Sequence, residues 1–290
     1  MTSHSTPRIR ALKSIRILSV ALNLPGPAAL MRCKEMGANC VKLEPLAGDP
    51  MQIYSPNSYV ALHKGIRVIS ADLKNEDGQK KLHRELAKAD VLLTSFRPSA
   101  LVKLGLTFKA LKKQYPQLSQ VAIVGAQGAL AEKPGHDLTY LADNGLVTGL
   151  ELPATLYVDM GGSFMVSEAV LQAVLHRHAH NKGIYQEVAL SGAASYLALP
   201  RSWGLTAPGA AVGGGHAGYQ IYRCKDGRVA VAALEQHFSA RLCDAAGLDS
   251  ADMSQLTTQQ AISAWMQGRT RAQLDKLAIA KDIPLLTLVG

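Results

Sequence analysis

Long hydrophobic runs are missing from this chain of 290 residues. Uninterrupted apolar stretches such as Val121-Ala122-Ile123-Val124 fall far short of the ~20 residues that a membrane-spanning helix needs. Residues 1–10 hold no apolar core of a secretory signal, and a cytoplasmic protein without membrane contact is expected. Cysteine is scarce too: Cys33, Cys40, Cys224 and Cys243 include no CxxC pair, which excludes the common zinc and dithiol spacings and leaves reduced structural thiols. Aromatic residues make up 5%, and no zinc-finger or helix-turn-helix pattern occurs. The net charge of +9 is spread over the chain, so nucleic acid is the weakest of the partners it could imply. A phosphate-bearing small molecule and plain solubility both remain open. Internal repeats and low-complexity tracts are absent from the sequence as well.

What is present is concentrated in two short stretches. Pro134-Gly135-His136-Asp137 is followed some twenty residues on by Val158-Asp159-Met160-Gly161-Gly162-Ser163. Together they set an imidazole and two carboxylates beside glycine-permissive backbone, the groups needed to move a proton or attack an acyl carbon. A turn-capping role for His136 and a helix N-cap role for Asp159 are the plain structural alternatives. Phe164, Val166, Ala169, Val170, Ala173 and Val174 predict a helix from Gly161 to His180 that begins just after Asp159. Its start would leave the N–H groups of Gly161 and Gly162 free for an oxyanion. His176, His178 and His180 share helical spacing but have no carboxylate or cysteine beside them, and no metal site is expected.

The rest of the first two-thirds alternates short apolar runs (15–20, 40–44, 67–71, 91–94 and 120–124) with helical segments. That pattern predicts an α/β fold, a Rossmann-like doubly wound parallel sheet whose ligand loops lie at the carboxyl ends of the strands. Those loops carry Pro25-Gly26-Pro27, Asp72-Leu73-Lys74, Phe96-Arg97-Pro98 and Gly125-Ala126-Gln127-Gly128. The expected organisation is a large domain over residues 1–200, a linker over 201–217 and a smaller α+β domain over 218–290.

Several motifs in this order resemble one family: Leu24-Pro25-Gly26-Pro27, Gly37-Ala38-Asn39-Cys40-Val41-Lys42-Leu43-Glu44, Ala71-Asp72-Leu73-Lys74, Phe96-Arg97-Pro98, Gly135-His136-Asp137-Leu138-Thr139-Tyr140, Asp159 with Gly161-Gly162-Ser163, and Tyr222-Arg223-Cys224-Lys225-Asp226-Gly227 with Glu235. The chain is similar to the family III coenzyme A transferases and looks most like their alpha-methylacyl-CoA racemases. The resemblance implies a Rossmann-like large domain and a small one in an interlocked homodimer. It implies no tightly bound cofactor, and coenzyme A carried in as part of an acyl thioester substrate. Positions matching coenzyme A contacts in the family are Ala71, Asp72, Leu73, Lys74, Ser95, Phe96, Arg97, Lys103, Gly135 and Tyr140, although Lys74 and Lys103 also read as ordinary solvated lysines.

In catalysis, His136 and Asp159 match the two groups that exchange the proton alpha to the thioester. Asp137 matches a support for Asp159, and Glu235 the carboxylate that orients His136. The same resemblance carries a transferase alternative, in which Asp159 attacks the thioester and acyl groups exchange through an aspartyl intermediate. A third reading is an inactive acyl-CoA-binding homologue. It is suggested by Pro45 where the family usually has arginine, by shortened segments before His136 and Asp159, and by the expected absence of the family's C-terminal return segment after Asp282-Ile283-Pro284.

Overall fold

A computed structural model describes residues 9–249 and 251–289. Compact packing divides the chain into two units, one ending at Ala198 and the other beginning at Leu199.

The first unit alternates strands and helices. In order they are β1 (Arg16–Ser19), α1 (Pro25–Glu35), β2 (Asn39–Glu44), α2 (Met51–Tyr54), α3 (Pro56–Leu62), β3 (Arg67–Ser70), α4 (Glu76–Leu86), β4 (Val91–Thr94), α5 (Pro98–Lys103) and α6 (Phe108–Gln114). β5 (Ser119–Val124), a 3-10 turn (Gly128–Glu132), α7 (Asp137–Asp143), α8 (Tyr157–His180), β6 (Tyr185–Ala189) and α9 (Leu190–Leu197) complete it. The strands form a six-stranded sheet in the order β3-β2-β1-β4-β5-β6, parallel throughout, with Leu18 of β1 opposite Val41 on one side and Leu92 on the other. This is the Rossmann strand order, and its direction reverses between β1 and β4.

Side-chain alternation explains why helices cover both faces. Ile17, Leu93, Val121 and Ile123 point into a core shared with Ala29, Leu30 and Cys33 of α1 and Val166, Ala169, Val170 and Val174 of α8. Leu18, Val41, Leu43 and Leu92 point the opposite way, onto Leu82 and Leu86 of α4, Leu101 of α5 and Leu111 of α6. Strands buried on both faces read as continuous apolar runs, which is why these short segments were legible as strands. α8 is 24 residues long and, by length and composition, apolar enough to cross a membrane, with half of its most apolar window buried inside the unit. The buried half, including Val166, Ala169, Val170 and Val174, packs onto the sheet.

The second unit begins with α10 (Leu199–Ser202). It continues through β7 (Tyr219–Cys224), β8 (Gly227–Ala232), α11 (Gln236–Ala246), α12 (Leu256–Gln267), α13 (Arg271–Lys281) and β9 (Leu285–Leu288). β7, β8 and β9 make an antiparallel three-stranded sheet with β8 in the centre. One face is covered by helices through a separate core that includes Tyr222, Val229, Val231, Leu242, Ile262, Met266 and Leu274. Lys225 and Asp226 form the turn of the β7–β8 hairpin.

Candidate functional site

Three loops at the carboxyl end of the first unit's sheet define a cleft of about 240 Å³. It sits beyond the ends of the neighbouring strands β1 and β4, where the strand order reverses, the position at which open α/β sheets leave room for a ligand. Leu22, Asn23 and Pro25 line it from the loop after β1, and Ser95, Phe96 and Arg97 from the loop after β4. Gly125, Ala131, Lys133, Pro134, Gly135 and His136 follow β5, while Tyr140 of α7 and Asp159 of α8 complete the wall. His136 and Asp159, far apart in sequence, therefore border one cavity. The loops are tied together: Leu22 N–H donates to Ser95 Oγ at 3.1 Å, and Ser99 N–H and Oγ donate to the Glu132 carboxylate at 2.7 and 2.9 Å.

His136 is the N-cap residue of α7 and is exposed. Its backbone is fixed by Thr139, whose Oγ1 accepts from His136 N–H at 3.0 Å and donates to His136 C=O at 2.7 Å. The capping exchange thus uses the main chain of His136, and the residue lines the cleft. The neighbouring Asp137 is buried, and its Oδ1 accepts the N–H groups of Val158 at 2.7 Å and Asp159 at 2.9 Å. Asp137 therefore caps α8 from outside that helix and holds the backbone of Asp159 in place.

Asp159 consequently stands in the first turn of α8, not ahead of it, because the helix begins at Tyr157. The expected helix start at Gly161 is thereby corrected. Gly161 and Gly162 lie beyond the first turn, where backbone N–H groups are taken by i→i−4 bonding, so they offer no free donors to an oxyanion. Their smallness serves packing: a Cβ on Gly162 would lie 2.4 Å from Leu190 Cδ2, and one on Gly161 3.3 Å from Leu197 Cδ1. These two glycines let α9 approach α8.

Burial pushes the Asp159 carboxyl up to about 6, with a further push from the Asp137 charge and an opposing pull from His136. An aspartate titrating there can act as a base at neutral pH and still hold a proton slightly below it. Tyr140 reaches in from α7 with its hydroxyl lodged between Gly125 and Gly135, where an added Cβ would come within 2.3 and 2.4 Å of Oη. Burial raises the Tyr140 phenol above its usual range, as does the Asp159 charge, while Arg97 opposes both.

Of the residues singled out from sequence, the cleft gathers Ser95, Phe96, Arg97, Gly135, His136, Tyr140 and Asp159, with Asp137 directly behind them. Ala71, Asp72, Leu73 and Lys74 follow β3 at the same end of the sheet but outside the lining of the cleft. There Asp72 Oδ1 accepts from Lys74 N–H at 3.0 Å, and Asn75 caps α4. Lys103 is exposed at the end of α5. Glu235 belongs to the second unit, where it is the exposed N-cap residue of α11. Sequence reasoning passed over Asn23, whose left-handed backbone (φ 65°) shapes the lip, and Lys133, which brings a second cation to the lining beside Arg97. Their adjacency to Leu24-Pro25-Gly26-Pro27 and Pro134-Gly135-His136-Asp137 was the available signal.

The model of CoA-transferase family III matches residues 12–288. Over 148 residues the chain is 34% identical to cinnamoyl-CoA:phenyllactate CoA-transferase of Clostridium sporogenes, covering 47% of this chain and 36% of that protein. Over 278 residues it is 28% identical to alpha-methylacyl-CoA racemase of Mus musculus, covering 88% and 68%. The matches span 36%, 63% and 50% of the lengths of three curated transferases. A crystal structure of a hypothetical protein from Mycobacterium tuberculosis superposes with a TM-score of 0.81 at 22% identity, covering 95% of this chain and 83% of that one, a likeness of fold.

Proposed function

The chain belongs to CoA-transferase family III, and from that premise we propose that it handles acyl-coenzyme A thioesters and epimerises a 2-methylacyl-CoA by two-base transfer of the alpha proton. The observation that carries the reading is the convergence of His136 and Asp159 on one cleft at the switch point of the sheet. Arg97 and Lys133 in the same lining supply cations suited to phosphate or carboxylate groups of the substrate.

In one direction the Asp159 carboxylate takes the alpha proton, and the C–H electron pair moves into the thioester carbonyl to form an enolate. The His136 imidazolium returns a proton to the opposite face, leaving neutral imidazole and a protonated Asp159. The reverse direction exchanges the roles. Helix α8 supplies no free glycine N–H groups for the enolate oxygen, and Tyr140, Arg97 and Lys133 are among the polar side chains of the lining able to meet it.

A second reading keeps Asp159 as a nucleophile that attacks the thioester and exchanges acyl groups between carboxylic acids. It is favoured by the half-buried Asp159 carboxylate at the cleft wall and by relatives named as CoA-transferases. Incubation with a (2R)-2-methylacyl-CoA in deuterium oxide separates the two. Alpha-deuterium incorporation with inversion supports epimerisation. Acyl exchange onto a second acid with a hydroxylamine-sensitive adduct at Asp159 replaces it with transfer. Loss of inversion in both Asp159→Ala and His136→Ala is expected, and full inversion by His136→Ala would reject the two-base scheme. A homodimer and a cytoplasmic location belong to the same proposal, and sedimentation and fractionation test them.

A further inference from the structure

Behind the cleft lies a cluster of charged side chains that the chemistry above does not use. Lys42 of β2 is completely buried, and Asp49, Glu44 and His63 around it are 1%, 2% and 7% exposed. The three protons of its ammonium meet three acceptors: Asp49 Oδ2, Glu44 Oε1 at 3.0 Å and His63 Nε2 at 2.9 Å. His63 Nδ1 lies 2.6 Å from the Tyr59 carbonyl oxygen, so this nitrogen carries the ring proton and Nε2 is left to accept. Burial holds that imidazole on the neutral side. Tyr59 Oη donates to Glu44 Oε1 at 2.9 Å. Among the described residues, Glu44, Asp49 and His63 have the spacing of a metal-binding trio, and the ammonium of Lys42 stands in contact with all three.

Burying three formal charges is costly, and in a shell at the carboxyl end of β2 it calls for a role. Asp49 shows one. Both its oxygens accept the N–H of Asn23, at 3.1 and 3.2 Å, and Oδ1 also accepts from Met51 N–H at 2.9 Å. Asn23 is the left-handed residue at the lip of the cleft. Met51 packs in a small cluster with Ala28, Leu62, Leu24 and Met160, and Met160 directly follows Asp159. A single carboxylate, locked by a caged ammonium, thus reaches the loop after β1 through a hydrogen bond and the first turn of α8 through an apolar contact.

We propose that Lys42 and Asp49 are positioning residues that set the cleft's geometry by fixing the Asn23 lip and the turn bearing Asp159. Neither residue lines the cleft. The claim that the cleft takes acyl-CoA rests on the reading above, whereas the claim of positioning does not.

Hydrogen–deuterium exchange on the full chain, without ligand, tests it. In Asp49→Asn, which keeps the side chain's shape and removes its charge, exchange should rise about fivefold in the segments spanning residues 20–24 and 156–160, with β4 and β5 within about twofold of wild type. Asp49→Ala should raise exchange in the same two segments more than tenfold. The carboxyl of Asp159, followed by carbon-13 NMR, should titrate lower in Asp49→Asn because water enters beside Met160. Wild-type exchange in either segment of Asp49→Asn, a uniform rise across the sheet, or an unmoved Asp159 titration would each overturn the proposal. A wild-type protein that ignores coenzyme A while Asp49→Asn loosens both segments would refute the acyl-CoA reading and leave this one standing.

Discussion

Asp159 lines the cleft and carries an energetic burden. Its carboxyl is pushed from 3.8 to about 6, chiefly by burial, so the folded chain binds this proton more tightly than the unfolded chain does. The resulting stabilisation is complete below about pH 3.8 and disappears as pH rises through about 6. Removing the ionisable group should therefore help the fold only where the group is charged. Asp159→Asn is expected to be more stable than wild type by about 1–3 kcal/mol at pH 8 and equal to it at pH 3.5, read from urea unfolding curves, while it loses turnover. A stabilisation that persists at pH 3.5 would mean that packing, and not charge burial, accounts for it. Under the proposed two-base scheme, alpha-proton exchange should fall in His136→Ala by at least ~100-fold, a general acid–base loss measured by deuterium incorporation.

At the scale of elements, the junction of α7, α8 and α9 holds the site together. Asp137 closes the open N-terminus of α8 with two hydrogen bonds to its carboxylate. Asp137→Ala should cost about 1–3 kcal/mol in urea unfolding, since a charged cap is lost and buried N–H groups are left unpaired. On the far side of the same helix turn, Gly162 admits Leu190 of α9 to a distance no Cβ allows. Gly162→Val should destabilise by about 1–3 kcal/mol through overpacking. Helix propensity alone would make valine there an improvement on glycine, so a stabilised variant would show that α9 shifts freely. Sequence periodicity identified α8 but misplaced its start, because the capping carboxylate comes from 21 residues upstream and not from the residue ahead of the helix.

The whole molecule consists of two units with separate cores, a parallel sheet covered on both faces and a three-stranded sheet covered by helices. All four cysteines are free and buried in those cores, two in each. Burial pushes the Cys33 and Cys40 thiols up to about 12. Inaccessible and undissociated, they cannot attack a disulfide reagent. In the native protein Cys33 and Cys40 should therefore react with an aromatic disulfide only on the time scale of unfolding, whereas all four thiols should react at once in guanidinium. Prompt reaction of a Cys33 or Cys40 thiol in the native state would show that the face of the sheet under α1 opens locally.

Fold class was legible in the chain because strands buried on two faces are short and mostly apolar, and Ile15 to Val20, Val91 to Thr94 and Gln120 to Val124 have that length and character between helical segments. His136, Asp137 and Asp159 were legible as chemistry because charge-bearing side chains among glycines and apolar residues are rarely placed for solubility. Local patterns end there. That His136 and Asp159 share a cavity, that Asp137 spends its carboxylate on the backbone of α8, and that Lys42 sits caged behind Asn23 all follow from the sheet's strand order and its parallel register. Those contacts join residues tens of positions apart, and only the packing of helices onto the sheet decides which of them meet.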